Sequence, residues 1–351
     1  MNWRKRILAA ALSAVLLVCL TVTASAAGLT PETVLADTAA CVLERTPAPS
    51  VGTVGGEWAV LGLARSGHAL PEEYCARYYK EVEHYAAERG GILSTAKYTE
   101  YARVSLALTA IDKDPRQVGG TDLLAPLGDY RKVVRQGANG AAWALIALDA
   151  GGYAVPEAPG SAVQATRQLY VDFLLESQLP EGGWSLGQTA DPDMTAMVLT
   201  ALAPYRGQAA VMQAAEKALE RMSALQGERG GFATAESAAQ MLVALVAWGI
   251  SLEDGRFVKN GYTLLDGLLA DYLPGRGFRH TAAETEADPM ATEQGLYALA
   301  AVCRARAGKP FLYDMTDVKP EPVSAETAAS QAAAWGARTG LAACFWAAAR
   351  M

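Results

Sequence analysis

Short, nearly charge-free apolar stretches recur along this chain, each preceded by a stretch that carries charge on one side only. The apolar stretches share an Ala/Gly-Leu pair: Gly62-Leu63, Ala107-Leu108, Ala147-Leu148, Ala201-Leu202, Ala244-Leu245 and Ala298-Leu299. Their periodicity predicts helices over about 57–66, 98–111, 138–150, 192–204, 235–249 and 290–306. The charged partners predict amphipathic helices over about 30–45, 72–88, 121–135, 161–178, 209–226 and 257–272. Gly-rich or polar turns separate the members of each pair, and no β-rich segment competes for the chain.

A helix that is apolar all round must be buried on every side. Helices of that kind, each with an amphipathic partner, suit an inner ring wrapped by an outer one. Six pairs close such a ring without capping repeats. The expected fold is all-α, an (α/α)6 toroid of helical hairpins over residues 28–315.

One turn is more specific than the pattern. Phe173-Leu174 leads to Gln178, Gly182-Gly183 and Trp184, with a second copy at Gln226, Gly230 and Phe232 and a weaker one at Gln136 and Gly140. Gln178 is placed to meet orphan carbonyls at a helix end. Gly182 and Gly183 permit positive φ, and Trp184 is free to pack between neighbouring pairs. This element resembles the prenyltransferase/squalene-oxidase repeat of squalene cyclases and protein prenyltransferases, and the resemblance covers about residues 30–315. It implies the same toroid.

Asp191-Pro192-Asp193-Met194-Thr195-Ala196 resembles the Asp-x-Asp-Asp-Thr-Ala motif of class II terpene cyclases, with Met194 at one acidic position. The resemblance implies that Asp193 would protonate an alkene or epoxide, with Asp191 as a neighbouring acid. Such a donor must be kept protonated by burial and nearby acids. A local reading stands beside it. Aligned on the Ala-Leu pairs, Asp191-Pro192 falls on Asp288-Pro289, and Asp before Pro is a good helix start by itself. Asp193 and its counterpart Glu236 would then favour a helix dipole, with Thr234 as the cap before Glu236.

Inner helices of a toroid run parallel, so Thr99, Asn139, Asp193 and Glu236 are expected at one mouth. The aromatic residues Trp143, Trp248 and Tyr297 lie on inner helices, with Trp58, Tyr98 and Tyr101, and read either as ring packing or as a cation-stabilising lining. His280 stands in the loop before the sixth inner helix. Convergent polar groups over an apolar centre make a candidate ligand site. His68, His84 and His280 are scattered, without the Asp-x-Cys spacing of a zinc-dependent prenyltransferase, so neither a metal nor a cofactor is expected.

The ends add location. Arg4, Lys5 and Arg6, an apolar run from Ile7 to Val22, and small residues at Ala24–Ala27 read as a signal peptide over 1–27. Its removal takes the net charge from −7 to about −10. An acidic chain without a Lys/Arg run argues against nucleic acid. Cys41, Cys75 and Cys303 lie in apolar helical stretches and read as free thiols, and Cys344 lies in the tail. Residues 316–332 read as a Pro/Glu-containing linker, and 333–351 as an Ala-rich helix that could touch a membrane but is interrupted by charge well short of the ~20 apolar residues of a span.

These observations lead to an exported toroid, free or attached to the envelope, that binds a ligand without catalysis. By fold analogy with corrinoid carriers of the transcobalamin type, a corrinoid or another hydrophobic small molecule is the candidate. A cyclase using Asp193, and a scaffold recognising an extracellular protein, are the alternatives.

Overall fold

The computed structural model describes residues 29–52 and 54–318. The expected signal peptide, Cys344, the Ala-rich tail and nearly all of the linker lie outside the described residues.

The described chain is mostly helical. In order come α1 (Pro31–Arg45), α2 (Glu57–Ser66), α3 (Glu72–Glu88), α4 (Tyr98–Ala110), α5 (Tyr130–Val133), α6 (Gly137–Ala150), α7 (Arg167–Glu176), α8 (Pro192–Leu202), α9 (Ala209–Leu225), α10 (Ala235–Trp248), α11 (Leu264–Leu269) and α12 (Pro289–Arg306). Two short strands, β1 (Tyr272–Leu273) and β2 (Gly277–Phe278), pair antiparallel between α11 and α12.

The two helix types behave as their composition dictates. From Ala235 to Leu245 every residue of α10 is buried. On α9 burial is confined to Val211, Ala214, Ala215, Ala218, Leu219 and Met222, a stripe at helical spacing. The even-numbered helices pack in sequence: α2 on α4, α4 on α6, α6 on α8, α8 on α10, α10 on α12, and α12 back on α2. Rings from three members of that series meet. Trp58 of α2 lies 5.0 Å from Trp143 of α6 and 5.8 Å from Tyr297 of α12, between ring centroids.

Two expected outer helices are much shorter than the charge pattern predicts. Over 121–135 the chain forms a 3-10 turn, Ala125–Gly128, then α5 and a second 3-10 turn, Val134–Gln136. Pro126 lacks an N–H for a regular helix, and the Cα of Gly128 lies so close to the Pro156 carbonyl that a Cβ would collide with it. Over 257–272 only α11 is α-helical, because Asn260 (φ 51°) and Gly261 (φ 87°) turn the chain just before it.

The Gln-Gly-Trp element is a long-range tie. The amide of Gln178 donates to the Ala214 carbonyl on α9, 2.7 Å away, not to the end of its own helix. Gly182 and Gly183 have φ of 94° and 78°. Trp184 is fully buried, its indole N–H donating to Leu174 O on α7 at 2.6 Å. Its backbone N–H donates to the Thr195 hydroxyl oxygen of α8 at 2.9 Å. The sixth pair repeats this bond: Phe278 N–H donates to Thr292 Oγ1 at 3.0 Å. The alignment of Asp191–Thr195 with Asp288–Thr292 is thus a structural equivalence.

At the Gln226 copy, α11 touches the turn directly. A Cβ on Gly267 would strike the backbone of Gly230 and Gly231. Backbone cannot yield as a side-chain tip can. Gly267→Ala is therefore expected to cost about 1–3 kcal/mol, against a gain of up to about 1 kcal/mol from helix propensity. A urea unfolding midpoint at or above wild type would show that α11 is free to move.

Candidate functional site

The expected caps form. Asp191 accepts from Met194 N–H at 2.8 Å, Asp288 from Ala291 N–H at 2.9 Å, and Thr234 from Ser237 N–H at 3.1 Å. They start α8, α12 and α10 in turn. This leaves Asp193 in the first turn of α8 and Glu236 and Ser237 in the first turn of α10.

His280 joins them from the loop before α12. Its backbone carbonyl accepts the Ala235 N–H at 2.9 Å, which pins the loop to the start of α10. Its Nδ1 lies 2.9 and 2.8 Å from the two carboxylate oxygens of Glu236. The Glu236 hydrogen bond and charge raise the His280 pKa and favour imidazolium. The imidazole is half exposed, while Glu236 is buried.

Asp193 differs. Its Oδ1 is shut off from solvent and has no hydrogen-bond partner. Burial raises its pKa, and the charges of Asp191 and Glu236 push the same way; a hydrogen bond from Ser237 and the His280 charge pull it back in part. A carboxyl in that position can hold its proton and offer it to an acceptor.

One turn deeper, the Gln240 amide donates to the Tyr297 hydroxyl at 2.6 Å and to Gln294 Oε1 at 3.2 Å. Tyr297 is fully buried and stacks towards Trp58. Asp193, Ser237, Glu236 and His280 therefore sit above a polar layer, and that layer above packed aromatic rings.

The other expected site residues are distributed differently. Thr99 is engaged by Gln136: its N–H donates to Gln136 Oε1 at 2.9 Å and its Oγ1 accepts from Gln136 Nε2 at 3.2 Å. Asn139, in the first turn of α6, has a buried, unpartnered Oδ1. Trp143 is buried against Trp58 and Tyr313. Trp248 is not with this group. It ends α10, about 18 Å of helix beyond Glu236, and its indole donates to Leu199 O at 2.8 Å. Its helix is right, but its level is wrong.

Sequence reasoning missed Glu57 and Glu293. Both are buried, on α2 and α12. Each carboxylate holds a loop N–H, Gly52 on Glu57 at 2.7 Å and Gly55 on Glu293 at 2.6 Å. Arg103 Nε of α4 stands 3.7 Å from Glu57. Glu293 Oε2 and the hydroxyls of Tyr74 and Tyr78 have no partner. Burial, with the Glu57 and Asp288 charges, raises the Glu293 pKa to about 7. The available signal was an acid inside a helix otherwise built for burial.

Cys41, Cys75 and Cys303 are free thiols, Cys41 buried and the other two half-buried. Among the described residues no group of His, Cys, Asp and Glu is arranged to hold a metal ion, and no helix is long and apolar enough to cross a membrane. Compared with known proteins, the chain matches no family model and no curated protein.

Proposed function

We propose that this chain is an exported α/α toroid of six hairpins, of the prenyltransferase/squalene-oxidase repeat type, that binds a small organic ligand at the mouth formed by the starts of α8, α10 and α12. The cyclic packing of the even-numbered helices supports the toroid, and the N-terminal sequence supports export. The observation that carries the site is the buried, unpartnered Oδ1 of Asp193 beside the Glu236–His280 pair. A buried polar atom without a partner costs stability unless a ligand or water completes it. Asp193 would donate to a ligand oxygen or nitrogen, and the half-exposed His280 would meet its solvent-facing side. The Trp58, Trp143 and Tyr297 rings fill the space beneath, which favours a ligand seated on the mouth over a polyene folded within. A corrinoid remains the candidate suggested by resemblance.

The raised pKa of Asp193 favours one other reading, a class II cyclase with Asp193 as general acid. One experiment separates the two. The protein is incubated with a mixed pool of polyprenyl substrates and corrinoids, and adducts and products are read by native mass spectrometry. A retained non-covalent adduct is expected. Asp193→Asn keeps a donor and should hold affinity within about threefold, whereas Asp193→Ala should lose about tenfold, near 1.4 kcal/mol. An isomerised polyprenyl product that vanishes in Asp193→Asn would establish the cyclase instead. Neither adduct nor product would overturn both readings in favour of a protein-binding scaffold.

A further inference from the structure

A cavity of about 380 Å³ lies at the other end of the same helices, where α6, α8 and α10 finish. Thr200 on its wall is seven residues beyond Asp193 on α8, roughly 10 Å along the helix axis. Ile146, Ala201, Ala247 and Phe311 give it apolar walls. At roughly 30 Å³ per small group the space holds about a dozen heavy atoms.

Two hydroxyls on its lining are unsatisfied. Thr200 and Tyr313 are each 5% exposed, and neither Thr200 Oγ1 nor the Tyr313 hydroxyl has a hydrogen-bond partner. A threonine late in a helix commonly donates to a carbonyl one turn back, as Thr109 does to Ser105 O at 2.7 Å. Thr200 does not. Tyr313 is held in place by its ring, edge-on to Trp143 at 6.1 Å and to Phe311 at 5.7 Å.

The charges at the rim are unequal. Asp149 is engaged by Arg167 at 2.7 Å and by the Tyr205 hydroxyl at 2.8 Å. Asp314 accepts from Thr316 through its N–H at 3.2 Å and its hydroxyl at 2.7 Å, and has no ion pair among the described residues. Arg206 is exposed and has no ion pair among the described residues. Two buried donors, apolar walls and an uncommitted guanidinium together suit an acceptor group on a hydrocarbon body. The negative charge left on Asp314 disfavours a second anionic group on the ligand.

The geometry points to a second ligand site here, which takes a small monocarboxylate with an apolar body, its carboxylate met by Arg206 and the hydroxyls of Thr200 and Tyr313. It is independent of the Asp193 mouth.

The test uses octanoate, titrated calorimetrically into the whole chain. Saturable one-to-one binding is expected, about tenfold tighter than that of octanol or the dicarboxylate suberate. Arg206→Gln should erase the preference for octanoate over octanol. Thr200→Val and Tyr313→Phe should each weaken octanoate a few-fold while the melting temperature of the free protein holds or rises, since each removes an unsatisfied buried hydroxyl. Ala247→Phe should abolish binding by filling the cavity, and Asp193→Ala should leave it unchanged. Absence of saturable binding in a protein that melts cooperatively would overturn the proposal. So would octanoate binding that survives both Arg206→Gln and Ala247→Phe, which would be apolar adsorption.

Discussion

Replacing Arg65 with alanine is expected to remove about 3–5 kcal/mol of stability, the cost of breaking a buried ion pair from one side. The Arg65 side chain is 3% exposed, in the last turn of α2. Its guanidinium is nearly saturated by one segment of chain: Leu312 O at 3.0 Å, Phe311 O at 3.1 Å, Asp314 O at 2.8 Å and Asp317 Oδ1 at 2.8 Å. Arg304 of α12 grips the same segment through Pro310 O at 2.9 Å and Asp317 Oδ2 at 2.5 Å. Burial lowers the Arg65 pKa, and the Asp317 hydrogen bond offsets that. The Ala150 carbonyl of α6 receives Met315 N–H at 2.9 Å, so residues 310–317 cross from α12 to α6.

Truncation at Arg65 orphans three carbonyls and leaves Asp317 only Arg304. Lysine restores the charge but not the planar fork. Arg65→Lys should therefore lose an intermediate amount. Urea unfolding gives the free energies, and amide exchange at Leu312, Tyr313 and Met315 shows whether the segment opens first. If Arg65→Ala costs under about 1 kcal/mol and these amides stay protected, the clamp is dispensable. Because Tyr313 belongs to this segment, octanoate binding should fall in step with its opening.

Much of the architecture was legible because burial leaves a mark on composition. A helix surrounded by protein cannot carry free charge, and the near-absence of charge in 57–66, 98–111, 138–150, 192–204, 235–249 and 290–306 placed the buried helices within a few residues. Asp191, Asp288 and Thr234 were legible as caps because a cap depends on neighbours three residues away. Contacts set by distant chain were not legible. Gln178 reaches Ala214 on another helix rather than its own carbonyls, and the level of Trp248 along the bundle depends on how far its helix runs past the mouth. The few charges in apolar helices carried a further signal. Arg65, Arg103 and Glu293 each interrupt an otherwise apolar run, and a buried charge needs a partner. Each turned out to hold distant chain or to face another buried charge.

Glu293 gives the second large effect, and its sign is opposite to that of an ordinary paired carboxylate. Its pKa stands at about 7 in the folded protein against 4.5 for an ordinary glutamate. Burial does most to raise it; the Gly55 N–H pulls the other way, and the charges of Glu57 and Asp288 add to the rise. The folded state thus binds a proton more tightly than the unfolded chain. Its contribution is fully favourable below about pH 4.5, declines as pH rises, and is spent above about 7. The span corresponds to about 3 kcal/mol at 1.36 kcal/mol per unit. His280 acts in the same direction, since Glu236 raises its pKa, but its exposure keeps the effect small.

Glu293→Gln removes the ionisation while an amide oxygen can still take the Gly55 N–H. Its unfolding free energy should be close to wild type at pH 5 and about 2–3 kcal/mol higher at pH 8, with a nearly flat profile between. Urea titrations at unit pH steps from 5 to 8 measure this directly. A variant with the wild-type slope would move the titration to Glu57, whose pKa is also raised by burial and whose Gly52 contact holds the same loop. Gly52 and Gly55 each donate to one of these carboxyls, so their amide protection factors, referred to intrinsic exchange at each pH, should fall in the wild type as pH passes 7 and hold in Glu293→Gln.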